Sequence, residues 1–284
     1  MSRLTTKTHP LLTKTILLNL SHKDVHIIHQ FLQKDSKQLV TITKLTYKNI
    51  ITIKKHILNK NAAYSYNALE NYKDVLSKTA TISSGIESFD SLLAGGFLTG
   101  KIYEICGAPT SGKTKLCTSI LSNYLKKYCS NCFYLDTKNE IQSHLKFFPQ
   151  RDSLKKLLIK QLWTIHDLIN ALYEIKSNLK QLKVRLIVLN SLPCLFYQIE
   201  RNRANTLLTH AVNIMRFISK EYHITFIVTN LMTTWDNDLR LGCGQYWKTV
   251  PNTRINISQA NDEYSLTILK SCDLREGNET LIKL

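Results

Sequence analysis

Residues 107–114 read GAPTSGKT. This string constrains the fold more than any other part of the chain, because its chemistry works only in one structural setting. Two glycines let the backbone turn tightly enough for consecutive N–H groups to face one anion, and the lysine and hydroxyl that follow complete a phosphate-binding loop of the form G-x-x-x-x-G-K-[ST]. Such a loop must leave a strand and enter a helix, whose positive end then faces the same anion. The flanks agree: KIYEICG before it is a short apolar strand, and GKTKLCTSILSNYLKKY after it is helical in pattern. Gly107, Ala108, Pro109, Thr110, Ser111, Gly112, Lys113 and Thr114 are therefore the expected nucleotide contacts, with Lys113 reaching the terminal phosphates and Thr114 ligating magnesium.

From residue 81 onward, apolar strands alternate with helices. CFYLD, LIKQLW, VRLIVLN and ITFIVTN read as strands, separated by the helices NEIQSHLKFF, HDLINALYEIKSNLKQL and NTLLTHAVNIMRFISKEY. Near-continuous apolar strands of this kind predict a mostly parallel sheet covered by helices on both faces. RINISQ, SLTILKS and TLIKL near the C-terminus predict hairpin-like strands at one edge. Residues 11–60 differ: Leu39, Ile42, Leu45, Ile50, Ile53 and Ile57 recur at helical spacing, with Asp35 or Ser36 and then Thr46 as capping candidates. The expected organisation is a small all-α domain at 1–59, a polar, tyrosine-bearing linker at 60–80, and an α/β phosphate-loop core at 81–284.

The net charge of +17 favours a polyanionic partner, nucleic acid above membrane surface, although a lysine-rich composition gives the same balance. Lys44, Lys48, Lys54 and Lys55 read equally as a solvated helix face or as nucleic-acid contacts. Seven scattered cysteines include one C-x-x-C, Cys129 and Cys132, with no second pair at zinc spacing, so the pattern predicts neither a metal site nor a disulfide framework and suits a reducing compartment. No apolar run is long enough to span a bilayer. Residues 1–23 carry Arg3, Lys7, Lys14 and Lys23, many hydroxyls and no acid, which suits a mitochondrial leader less well than an ordinary helical start.

Two positions that matter for hydrolysis are altered. The strand RLIVL ends in Asn190, where phosphate-loop enzymes hold magnesium with an acid. An amide can hydrogen-bond a metal-bound water but brings no negative charge. A carboxylate is also needed to orient the attacking water; CFYLD is followed by Thr137, Lys138, Asn139 and Glu140, and the sequence leaves the register of Glu140 open. Asp136 reads either as a strand-end residue bonded to its own loop or as a magnesium-shell group.

The stretch SSGIESFDSLLAGGFLTGKIYEICGAPTSGKT, 83–114, resembles the RecA-like recombinases of eukaryotes and archaea, in its Gly-Ile-x-x-Phe-Asp opening, Gly95-Gly96, Thr99-Gly100 and Glu104. VTN at 228–230 and GQYWKTVPNTRINI at 244–257 extend the likeness, the latter most similar to the D-type paralogue of the Rad-fifty-one family, and LKSCDLREG carries it almost to the end. The resemblance implies a RecA-like core, ATP and Mg2+ as cofactors, and a nuclear DNA-repair protein of homologous recombination, with mitochondrion as the alternative location. It also implies binding of single-stranded or branched DNA, and a hetero-oligomer with C-type and X-type paralogues. Three departures weaken a hydrolysing filament: Lys138 and Asn190 stand at acidic positions, and Leu231 replaces a glutamine that senses the terminal phosphate. A fourth is the lack of a Phe-x-x-Ala plug in the linker, where Tyr64 or Tyr66 are the substitutes on offer. The family's DNA-facing loops correspond to about 193–205, with Arg201 and Arg203, and about 232–247, with Arg240, Tyr246 and Trp247; Trp247 reads equally as a packed residue. The competing functions are a competent strand-exchange ATPase and a small-molecule kinase. The second is disfavoured by the 106 residues ahead of the loop and by the lack of an arginine-rich lid.

Overall fold

A computed structural model describes residues 3–61, 67–148, 154–197, 199–235 and 238–284. The chain divides into two units, residues 1–72 and 73–284.

The first unit is helical. α1 (Lys14–Ser21), α2 (Ile28–Gln33), α3 (Ser36–Thr43) and α4 (Tyr47–Asn61) enclose a core of Leu12, Leu20, Phe31, Leu39, Ile50, Ile53 and Ile57. The spacing of Ile50, Ile53 and Ile57 places them on one stripe of α4. The Thr46 hydroxyl accepts from Asn49 N (3.2 Å) at the start of α4, whereas Asp35 makes no side-chain cap on α3. Lys54, one of the cations offered to nucleic acid by the sequence, donates instead to the carbonyls of Leu32 and Lys34, at the end of α2. The expected linker contains α5 (Ala68–Lys78), a helix with no buried residue. Tyr64 and Tyr66, the candidates for a polymerisation plug, lie outside the described residues.

The second unit is built on one large sheet. After β1 (Thr81–Ile82), α6 (Glu87–Leu92) and β2 (Phe97–Leu98) come β3 (Ile102–Gly107), α7 (Lys113–Lys127), β4 (Asn131–Asp136), α8 (Ile141–His144) and β5 (Leu157–Gln161). Then follow α9 (Ile165–Asn178), β6 (Val184–Asn190), α10 (Arg201–Tyr222), β7 (Thr225–Trp235), β8 (Asp238–Leu241), α11 (Gly244–Thr249), β9 (Thr253–Ala260), β10 (Glu263–Ser271) and β11 (Glu279–Ile282). The strand order is β11-β10-β9-β3-β7-β6-β4-β5, with β8 paired to β7. Strands β9, β3, β7, β6, β4 and β5 run parallel, and β10 and β11 close the edge as an antiparallel meander.

Helices cover both faces because each carries an apolar stripe. α9 buries Ile165, Leu168, Leu172 and Ile175, and α10 buries Leu208, Ala211, Val212, Met215 and Ile218, against one face. α7 buries Leu116, Cys117, Ile120, Leu121 and Tyr124 against the other. A reciprocal cap starts α9: the Thr164 hydroxyl accepts from Asp167 N (3.2 Å), and the Asp167 carboxylate accepts from Thr164 N (2.9 Å). α10 stops at His223, whose left-handed backbone (φ 50°) turns the chain into β7. This is an α/β fold with a mostly parallel central sheet, as the alternation predicts.

Candidate functional site

The carboxyl ends of β3, β4, β6 and β7 lie side by side, with Gly107 opposite Leu231 and Asp136 opposite Asn190 in the register. In open α/β sheets this edge is where ligands bind. The loop of residues 107–114 crosses it and runs into α7, whose first residue is Lys113. Two glycines are required by contact. A Cβ on Gly107 would stand 2.4 Å from the Ile257 carbonyl oxygen, and one on Gly112 (φ +91°) would stand 2.5 Å from the Tyr264 ring. The loop is thus a narrow cradle, held against β9 and β10 and lined by backbone.

Lys113 lies over this cradle, its ammonium donating to the carbonyls of Gly107 and Ala108 and to the Ser111 hydroxyl. Burial, and after it the positive charge of Lys138, lower the Lys113 ammonium to about 8. Lys138 is exposed at the rim, so its cation adds to the positive potential over the loop.

Thr114 faces the strand ends. Its Oγ1 lies 3.4 Å from Asn190 Oδ1 and 3.4 Å from Glu140 Oε2. Asn190 Oδ1 also accepts from the Thr229 hydroxyl (3.2 Å), while its Nδ2 is buried on the side of the Tyr134 hydroxyl. Thr137 ties β4 to β6, donating to the carbonyls of Asn190 (2.6 Å) and Ser191 (2.9 Å). The Asn190 side chain therefore stands where the sequence placed it, beside the hydroxyl expected to hold metal, but as a neutral group. Leu231 follows Asn230 at the same edge, opposite the start of the loop.

Two expectations are corrected. Asp136 does not turn toward Thr114; its Oδ1 accepts from Lys138 N (3.0 Å) and its Oδ2 from Ile141 N (3.0 Å), so both oxygens hold the loop after β4. The carboxylate that does face Thr114 is Glu140, whose position the sequence left open. Trp247 is also no surface aromatic. It is fully buried beneath the sheet, and its Nε1 donates to Glu104 Oε1 (2.8 Å). Glu104 accepts in addition from Asn230 Nδ2 (2.6 Å) and pairs with the Arg254 guanidinium, both members of the pair being buried. This carboxylate joins β3, β7, β9 and α11, a role the sequence motif alone did not reveal.

The expected DNA-facing segments are more ordered than loops. Arg201 and Arg203 fall in the first turn of α10, and Arg203 is exposed. Residues 232–235 continue β7 and pair with β8, which carries the exposed Arg240. A cavity of about 270 Å³ opens between residues 193–197 and the β7–β8 pair, lined by Pro193, Phe196, Tyr197 and Arg240 among others. Tyr197 is 72% exposed there, a surface aromatic beside a cation that sequence inspection overlooked because no basic run flags it. Among the described residues no cluster of His, Cys, Asp and Glu could hold a metal by itself, and no helix is long and apolar enough to cross a membrane. Any divalent cation here would depend on Thr114 and the phosphates it neutralises.

A family profile described as the KaiC ATPase matches residues 82–240, the segment that contains the loop, Glu140, Asn190 and Asn230. The chain belongs to this RecA-like ATPase family. A second profile, the N-terminal domain of RAD51D, matches residues 1–60, in agreement with the D-type resemblance read from the sequence. The chain is 22% identical to "DNA repair protein RAD51 homolog 4" of Bos taurus over 279 residues, covering 90% of this chain and 85% of the relative. It is 24% identical to "Probable DNA repair protein RAD51 homolog 4" of Dictyostelium discoideum, covering 87% of each. It is 22% identical to "DNA repair and recombination protein RadB" of Archaeoglobus fulgidus, covering 72% of this chain and 95% of that one.

Proposed function

We propose that this chain is a DNA-repair protein of homologous recombination, a recombinase paralogue that holds ATP with Mg2+ and turns it over slowly. In this reading it binds single-stranded or branched DNA within a nuclear hetero-oligomer that includes C-type and X-type paralogues. The observation that carries it is the pairing of an intact phosphate cradle with neutral or reversed charge at the hydrolytic positions. Lys113, Thr114 and the loop backbone supply what binding needs. Asn190 gives the metal shell a dipole in place of a charge, and Lys138 adds a cation near the loop in place of the acid that the resemblance implies there. Electrostatic positioning is most of what a protein contributes to phosphoryl transfer, so turnover suffers more than affinity.

The test uses the full chain. Calorimetry with ATP and magnesium should give saturable binding that Lys113→Ala weakens by more than tenfold, since each charge-assisted hydrogen bond lost contributes about 1.5–3 kcal/mol. Single-turnover hydrolysis should be slow in the wild type and faster in Asn190→Asp with Lys138→Glu, at little change in affinity. Binding unaffected by Lys113→Ala would refute the nucleotide reading. Rapid hydrolysis that Lys113→Ala abolishes would favour the competent strand-exchange ATPase.

A further inference from the structure

We infer that Glu140 is the carboxylate that serves the divalent cation of this site, in place of the acids missing at 138 and 190. The inference rests on the nucleotide-binding reading. Its basis is the shape of the loop after β4. Asp136 clamps the amides of Lys138 and Ile141, and Asn139 takes a left-handed backbone (φ 56°), so the chain folds back and residue 140 faces the cradle. Lys138 is left at the exposed rim. Glu140 Oε2 and Asn190 Oδ1 then converge on one atom, Thr114 Oγ1, at 3.4 Å each. Neighbouring ligands around magnesium stand about 2.9 Å apart, so each of these two oxygens lies within about half an ångström of the separation from the Thr114 hydroxyl that a shared cation would set.

Asn190 is almost fully buried, with its Nδ2 on the side of the buried Tyr134 hydroxyl, so Oδ1 is the end it turns to Thr114. Thr114, Asn190 and Glu140 thus provide one hydroxyl, one amide and one charge. Their fit to a magnesium nucleotide is better than the altered strand ends suggest on their own. Glu140 acts through the cation and its waters, so it is a positioning residue.

The test separates this role from a structural one by its sign. Affinity for a non-hydrolysable ATP analogue is measured by calorimetry on the full chain, once with Mg2+ and once with chelator. Wild type should bind more tightly with Mg2+. In Glu140→Gln the apparent magnesium affinity of the complex should fall about tenfold or more, the usual cost of removing a carboxylate from a metal's surroundings. Binding in chelator should hold or tighten, because a negative charge near the triphosphate is gone. Glu276→Gln, an exposed carboxylate in the turn before β11, should behave as wild type. Two outcomes overturn the assignment: a magnesium gain that survives Glu140→Gln, or equal weakening with and without Mg2+. If the wild type binds no analogue, or Lys113→Ala binds it as well as wild type does, the nucleotide reading falls and this inference with it.

Discussion

Lys113 is caught between two demands. It must be charged to meet phosphate, yet it is partly buried and Lys138 repels it, so its ammonium is lowered to about 8. Phosphate oxygens favour the charged form and raise the value again on binding, which means that binding takes up a proton once the free lysine is neutral. ATP affinity should accordingly be flat below about pH 8. Above that it should fall by up to about tenfold per pH unit until the bound lysine also titrates. Calorimetry across pH 7 to 10 checks this, with Lys113→Ala as the reference whose profile lacks the bend. Lys138→Ala should move the bend to higher pH by removing the nearby charge. Lys113 was legible from the motif because its role depends on local spacing alone. Glu140 was not, because its direction depends on the grip of Asp136 on two amides and on the backbone of Asn139. Neither is visible in a string of residue types.

Among the elements, the sheet and the segment from β8 to α11 are joined by one buried carboxylate. Glu104 on β3 accepts from Trp247 of α11 and Asn230 of β7 and pairs with Arg254 of β9. Glu104→Gln keeps the volume but removes the charge and turns a donor toward Arg254, leaving a guanidinium buried beside an N–H. Breaking a buried pair from one side costs about 3–5 kcal/mol, so the urea midpoint of the full chain should drop sharply. A change under about 1 kcal/mol would mean that Arg254 reaches water. Strands and helices of the second unit were largely legible, since β4, β6 and β7 are near-continuous apolar runs and α9 and α10 carry a helical period that matches their burial. The segment after β7 was not. The resemblance implied a loop there, but 232–235 pair with β8, and the apolar character of Trp247 is spent under the sheet. A tryptophan near basic residues fits base stacking and core packing equally well until the tertiary fold decides. Tyr197 escaped notice for the converse reason, because only the fold brings it beside Arg240.

For the molecule as a whole, a charge of +17 favours a polyanionic partner but says nothing of where a strand would run. Two kinds of contact can be told apart by salt. Cations release counterions from phosphates, so they set the slope of affinity against salt, whereas stacked rings set affinity at every salt concentration. Arg201→Ala with Arg203→Ala should therefore reduce the salt slope for single-stranded DNA by about one unit per lost phosphate contact. Tyr197→Ala should weaken binding by about 1–3 kcal/mol and leave the slope alone. Trp247 belongs to neither test, since removing it would cost the fold. Fluorescence anisotropy over a range of salt concentrations with the full chain reads both quantities at once. An unchanged slope in the double arginine variant, with unchanged affinity in Tyr197→Ala, would move the DNA path away from the first turn of α10. The helical first unit would then be the place to look. There Lys44, Lys48 and Lys55 are exposed, whereas Lys54 is engaged by backbone carbonyls and would contribute least.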